Sequence, residues 1–295
     1  MGRGEGGWTV KRLLEWTTEH FSKMGVDQPR LSAEILLAHV LGWGRIQLYT
    51  QFDQCPGAEA LAAFRGLVQR AARQAPVAYL TGVAHFFSLE FEVGPAVLIP
   101  RPETEALAAE AVDYCRHETI RPRVDVLDLG TGSGCVAVAI AANVAEAEAV
   151  AADADGAALE VARRNVERHD LAARVTCVES DLFSGVVQSG KSVFDLIVSN
   201  PPYISDAEYE RLPATVREYE PARALRGGAD GLEFHRRIVA EAGEFLADGG
   251  SLMLEVAYDQ AAEVVALCRA AGYAKEVRTV RDALGHERVV TARKG

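Results

Sequence analysis

Residues Ser199–Ser205 read SNPPYIS and directly follow the apolar run VFDLIV, Val193–Val198. Each proline has a fixed φ and pushes the residue before it toward extended backbone, so Asn200 and Pro201 are both held out of helical geometry. The result is a stiff turn carrying an amide and a ring at the carboxyl end of a buried strand, where open α/β sheets keep their ligands. Taken alone, the tripeptide fits a plain strand-closing loop equally well. Three other stretches bear on the choice. In VLDLGTGSGCVAVAIA (Val126–Ala141), Gly130, Gly132 and Gly134 allow close backbone approach to a ligand. The spacing is not G-x-G-x-x-G, and Asp128 just before the turn would repel a pyrophosphate but can hold a cationic amino-acid group. The next apolar run ends at Asp153, about twenty residues on, where a carboxylate can accept two ribose hydroxyls or simply cap a helix. ESDLF then places Asp181 and Phe183 where an acid can read an adenine amino group and a ring can cover the base, with a core position as the alternative for Phe183.

These four turns need four strand ends in one sheet, and the chain supplies them. From residue 124 onward strands and helices alternate: VDVLDLG, a helix from about Gly134, AVAAD, GAALEVARRNVERH, VTCVES, FDLIVSN, a helix from about Leu232, GSLMLEVA, a helix over Gln260 to Ala271, and closing strands AKEVRTV and ERVVTA. That rhythm predicts a mostly parallel sheet with helices on both faces. Residues 9–75 are helical in pattern, with Thr9 and Ser32 as N-caps and Gly42 as a stop. Residues 77–99 change period, which predicts a β-hairpin bridging two domains, and Pro102 opens a further helix with acids in its first turn. The expected division is 1–75 helical domain, 76–100 hairpin linker and 101–295 catalytic domain.

The net charge of −11 argues against a broad duplex-binding face, although residues 1–75 carry nine Lys/Arg against seven Asp/Glu. No run is long and apolar enough to span a bilayer, MGRGEGG lacks the apolar core of a signal peptide and reads as mobile, and the expectation is a cytoplasmic protein. The five cysteines are scattered with no C-x-x-C pair, which leaves reduced structural thiols and no metal site.

The glycine turn, the acid at Asp153, the acid at Asp181 and Asn-Pro-Pro-Tyr together resemble class I S-adenosylmethionine-dependent methyltransferases with a Rossmann-like sheet, in which [DN]-P-P-[YFW] marks enzymes that methylate a planar nitrogen. An amide nitrogen is a poor nucleophile because its lone pair is delocalised. Asn200 Oδ1 and the Pro201 carbonyl can each accept one of its N–H groups while Tyr203 stacks on the planar group. The stretches LSAEILLAHVLG, PVAYLTGVAHFFSLEFEVGPAVLIPRPETE, EPARALRGGADGLEFHRRI and VRTVRDALGHERVV resemble, more narrowly, the HemK/PrmC-type release factor glutamine N5-methyltransferases, from about residue 8 to 292. That resemblance implies a protein substrate, the glutamine of the Gly-Gly-Gln loop in class I peptide chain release factors. It implies S-adenosyl-L-methionine held by Asp128, Gly130, Thr131, Gly132, Ser133, Gly134, Asp153, Asp181, Phe183 and Asn200, and a glutamine pocket of Asn200, Pro201, Pro202 and Tyr203. IPRPETE, with Arg101 and Glu103, would close over the substrate, and the helical domain would grip the release factor. His85 departs from the expected pattern, where relatives carry an acidic or aromatic residue; as a strand histidine it reads as structural rather than as a base. Alternatives are a glutamine methyltransferase acting on a ribosomal protein, a nucleic-acid amino-methyltransferase, and a non-catalytic scaffold. No direct nucleic-acid partner, no membrane and a monomeric state are expected.

Overall fold

The computed structural model describes residues 7–117, 122–273 and 276–295. Most of MGRGEGG and the Ala274–Lys275 start of the expected closing strand fall outside that set. The chain divides into two compact units, Met1–Gly82 with Ala214–Tyr219, and Val83–Pro213 with Glu220–Gly295.

The first unit is helical: α1 (Val10–Met24), α2 (Pro29–Leu41), α3 (Arg45–Thr50), α4 (Ala58–Ala71) and α5 (Val77–Thr81). Thr9 caps α1 by accepting from Arg12 N, an interaction worth about 1 kcal/mol, and Gly42 ends α2 in the left-handed conformation. Ser32 does not cap α2. The helix starts one turn earlier at Pro29, whose fixed φ suits a first helical position, and the Ser32 hydroxyl donates back to the Asp27 carbonyl. Leu14, Phe21, Leu36, Leu37, Leu48 and Phe64 make the core. Glu34 is buried beside it, which is tolerable because Arg30 Nε (2.6 Å), an Arg45 guanidinium nitrogen (2.8 Å) and the Tyr49 hydroxyl all donate to its carboxylate.

The second unit opens with a hairpin, β1 (Val83–Phe86) and β2 (Leu89–Glu92), shorter than the period change over 77–99 suggested. Residues 77–81 wind into α5 before Gly82, and the chain reverses at Phe87–Ser88, both with positive φ (50° and 62°) as a two-residue hairpin turn demands. Thereafter come a 3₁₀ turn (Pro102–Thr104), α6 (Glu105–His117), β3 (Val124–Leu129), α7 (Cys135–Asn143), β4 (Ala147–Asp153), α8 (Gly156–Arg168), β5 (Val175–Glu179), β6 (Phe194–Ser199) and α9 (Asp206–Tyr209). The short α10 (Ala214–Arg217) belongs to the helical unit; α11 (Glu233–Phe245), β7 (Leu246–Glu255), α12 (Ala261–Ala270), β8 (Glu276–Arg281) and β9 (Glu287–Arg293) complete the second.

Seven strands form one sheet in the order β5-β4-β3-β6-β7-β9-β8, parallel through β7, with β9 antiparallel to both its neighbours. The fold is the Rossmann-like α/β sheet with an N-terminal helical unit that the alternation of patterns predicts. The central strands are nearly continuous Val, Ile, Leu and Ala because helices cover both faces. After β3 the chain adds β4 on one side and returns with β6 on the other, so a crevice opens at the carboxyl ends of β3 and β6.

Candidate functional site

A cavity of about 460 Å³ fills that crevice, within the range that small-molecule cofactor sites occupy. The turn after β3 forms one wall. Gly130, Gly132 and Gly134 all have positive φ; at Gly134 a Cβ would also lie 3.3 Å from that of Ala162, so only glycine lets α7 start this close to α8. Asp128 braces the turn from beneath: its Oδ2 accepts from Thr131 Oγ1 (2.6 Å) and from Ala137 N (3.2 Å). Burial pushes this carboxyl up to about 6, against the pull of those two donors.

Asp153 ends β4 at the cavity. Its Oδ2 accepts from Gly132 N (2.9 Å) and its Oδ1 from Asp155 N (3.0 Å), which fixes the carboxylate while leaving a lone pair on each oxygen. Burial raises its pKa. Asp155 in turn caps α8 through Ala157 N and pairs with Arg223. Asp181 reaches the rim and is paired with Arg237 at 2.9 Å. Phe183 does not line the cavity. It is 2% exposed and stacks on Phe245 with ring centroids 4.6 Å apart; Leu182 and Phe234 stand at the wall instead.

The Asn-Pro-Pro-Tyr turn forms the opposite wall, with Asn200, Pro201 and Pro202 lining the cavity. Asn200 Nδ2 donates to Thr104 Oγ1 (3.0 Å), which leaves Oδ1 as the free acceptor of that amide. Tyr203 and Glu103 do not line the cavity. The Tyr203 hydroxyl donates to Glu255 Oε1 (3.2 Å) at the end of β7, and its carbonyl accepts from Gln260 Nε2 (3.0 Å). The turn is held against the RGGADG loop so tightly that a Cβ on Gly231, at φ +77°, would fall 2.3 Å from the Tyr203 carbonyl oxygen. Arg101 lines the cavity and donates to Glu220 Oε1 (2.5 Å), while Glu220 Oε2 accepts from Ile99 N, so the IPRPETE segment is pinned to a buried acid. His85 is exposed on the hairpin opposite Glu90, away from the cavity.

Several of these residues carried no readable signal. Thr104 and Glu220 sit in ordinary helix-start and loop contexts. Asn165, fully buried, donates to the carbonyls of Ser133 (2.8 Å) and Glu92 (3.0 Å) and accepts from Glu92 N, tying glycine turn to hairpin across 73 residues of sequence. Glu255 did leave a trace: in GSLMLEVA it is the one charge closing an apolar strand. Burial pushes it up to about 7, partly opposed by the Thr104 and Tyr203 hydroxyls and by Arg288.

Two families match, one described as the PrmC N-terminal domain over residues 12–82 and one as a methyltransferase small domain over 116–217. Release factor glutamine methyltransferase from Rhodopirellula baltica is 47% identical over 288 residues, covering 97% of each chain. The chain belongs to the release factor glutamine methyltransferase family. A second member, from Geobacter sulfurreducens, is 44% identical over 98% of each chain. Among solved structures, a methyltransferase from Pyrococcus furiosus superposes with a TM-score of 0.51 at 23% identity, over 71% of this chain and 91% of that one, which supports the sheet architecture alone. The cofactor of this family's methyltransferase domain is S-adenosylmethionine. The cavity fits it: Asp153 offers two fixed acceptor oxygens for vicinal hydroxyls, Asp128 offers an acid suited to an ammonium, and the crevice volume suits a nucleoside.

Proposed function

We propose that this enzyme methylates the side-chain amide nitrogen of glutamine in the Gly-Gly-Gln loop of class I peptide chain release factors, using S-adenosylmethionine. The observation that carries the reading is the Asn200 amide, anchored through Nδ2 so that its oxygen is free at the cavity between the cofactor-side acids and the Pro-Pro turn. When bound, S-adenosylmethionine supplies an electrophilic methyl. Asn200 Oδ1 and the Pro201 carbonyl accept the two N–H groups of the glutamine amide, orient its nitrogen, and stabilise the positive charge that develops there. Both acceptors belong to one rigid turn, so they hold their separation while the nitrogen pyramidalises. Pro202 and Arg101, which line the cavity, meet the substrate, while Tyr203, held by its hydroxyl to Glu255, stiffens the turn from behind. Gly130–Gly134, Asp153 and Asp181 hold the cofactor, with Leu182 and Phe234 better placed than Phe183 to cover its base. The helical unit recognises the release factor. No helix among the described residues is long and apolar enough to cross a membrane; the reading is of a cytoplasmic monomer acting on a protein of the translation machinery.

The test is transfer of labelled methyl to a purified class I release factor, beside its Gly-Gly-Ala variant and a ribosomal-protein mixture. Label on the wild-type factor alone is expected. Label in the ribosomal mixture alone keeps the chemistry and overturns the substrate; no label on any acceptor overturns the reading.

A further inference from the structure

The Asn200 amide does its proposed work only with oxygen toward the cleft, and the amide itself has no preference between its two ends. Something behind it must set the direction. Thr104 Oγ1 accepts from Asn200 Nδ2, so the Thr104 proton has to point elsewhere. The group waiting there is the Glu255 carboxylate, fully buried, which also takes the Tyr203 hydroxyl proton on Oε1. Its Oε2 is buried with no hydrogen-bond partner, an acceptor in need of a donor. Its backbone carbonyl is tied to His235 Nε2 at 2.9 Å, which fixes where the side chain starts.

We infer that Glu255 is a positioning residue which, as a carboxylate, draws the hydroxyl protons of Thr104 and Tyr203 toward itself and thereby fixes Asn200 with its amide oxygen facing the glutamine. An ionised carboxylate only accepts, so both hydroxyls must donate to it and the free lone pair on Thr104 must receive Asn200 Nδ2. A protonated Glu255 can instead donate to Thr104. The Thr104 proton is then free to turn toward Asn200, and the reversed amide, with Oδ1 accepting from Thr104 and Nδ2 facing the substrate N–H, becomes populated. An unpaired donor opposing a donor in a dry site costs about 10- to 100-fold in rate. The inference rests on the acceptor role of Asn200 proposed above.

The groups around this network set when the switch occurs. Glu103 from the 3₁₀ turn opposes ionisation of Glu255 and Arg288 from β9 favours it; Arg101 acts on Tyr203; Cys135 of α7 is close enough to feel the Glu255 charge, with burial holding its thiol up to about 12. His235 of α11 is kept neutral by burial. Burial holds Glu255 itself up to about 7.

The experiment compares wild type, Glu255→Gln and Thr104→Val on intact release factor from pH 6 to 9, with cofactor affinity measured by calorimetry and the Asn200 side-chain amide followed by ¹⁵N NMR. In the wild type, kcat should rise through one ionisation near pH 7, and the Asn200 amide resonances should titrate with it. Glu255→Gln should lower kcat about 10- to 100-fold at pH 8, abolish that ionisation in both rate and spectrum, and leave cofactor affinity within about threefold. Thr104→Val should lower kcat similarly by removing the relay. An unchanged kcat with the same ionisation in Glu255→Gln overturns the inference. So does a fall in kcat in which the Asn200 resonances titrate as before, since that is the mark of a merely structural role. Failure of the wild type to label glutamine at any pH would instead sink the underlying function.

Discussion

Two buried acids flank β6, the strand that delivers Asn200: Asp128 on β3 to one side and Glu255 on β7 to the other. Both are stripped of water and both are pushed up, to about 6 and about 7. Their partners differ in kind. Asp128 receives a backbone N–H and a threonine hydroxyl on one oxygen, and the backbone donor has a fixed direction. Glu255 accepts from one rotatable hydroxyl, that of Tyr203, and its unpartnered Oε2 is the acceptor that the inference above assigns to the Thr104 hydroxyl. An acid met by backbone braces a turn; an acid met by hydroxyls can steer what lies beyond them. On the inference above, the wall braced by Asp128 is fixed by geometry, and the wall carrying Asn200 by geometry together with proton placement.

This contrast can be broken at several points. The largest effect is on the cofactor side, where Phe183→Ala should cost about 3–5 kcal/mol of stability in urea unfolding and leave cofactor affinity nearly unchanged, because the ring is core rather than wall. A loss of affinity with intact stability would return Phe183 to the site. On the other wall, Asn200→Ala should reduce kcat/KM about 10²- to 10³-fold while cofactor affinity falls little, measured by methyl transfer and calorimetry. Asp153→Ala should do the reverse. Losing two placed acceptors should weaken cofactor binding about 10- to 100-fold, and kcat at saturating cofactor should change far less.

The smallest effect is thermodynamic and depends on pH. A buried acid whose folded pKa is raised adds stability that is complete below its unfolded value, near 4.5 for glutamate, and is lost as pH rises through the folded value, here about 7. Glu255→Gln should therefore match the wild type at pH 4 and exceed it by on the order of 2 kcal/mol above pH 8, read as a shift in the chemical-unfolding midpoint. Asp128→Asn should show the same sign, its advantage growing above the unfolded value of 3.8 and complete once the pH passes about 6, and should weaken cofactor binding, which Glu255→Gln should not. Identical functional profiles for the two variants would erase the distinction between the walls.

The sequence by itself determined the alternation of strands and helices, the strand ends that carry Asp128, Asp153, Asp181 and Asn200, the glycine turn and the stiffness of Asn-Pro-Pro-Tyr. These are local properties: period, backbone permissiveness at glycine, fixed φ at proline. It misjudged Ser32 as a cap, since Pro29 is a stronger start one turn earlier, and it spread the hairpin over residues that wind into α5, since β-branched and aromatic residues in short runs suit either state. What only the tertiary structure decided is which side chains meet. Thr104 reaches Asn200 across 96 residues and Tyr203 reaches Glu255 across 52, while Arg101 finds Glu220 across 119. Phe183 turns into the core to stack on Phe245, and Leu182 and Phe234 take the wall it vacates. Hydrogen bonds between distant residues leave no periodicity in the chain, and a ring at a strand end can satisfy its need for burial against a core or a cofactor alike. Only the packing of α11 against β7, which brings Phe245 to Phe183, chose between them.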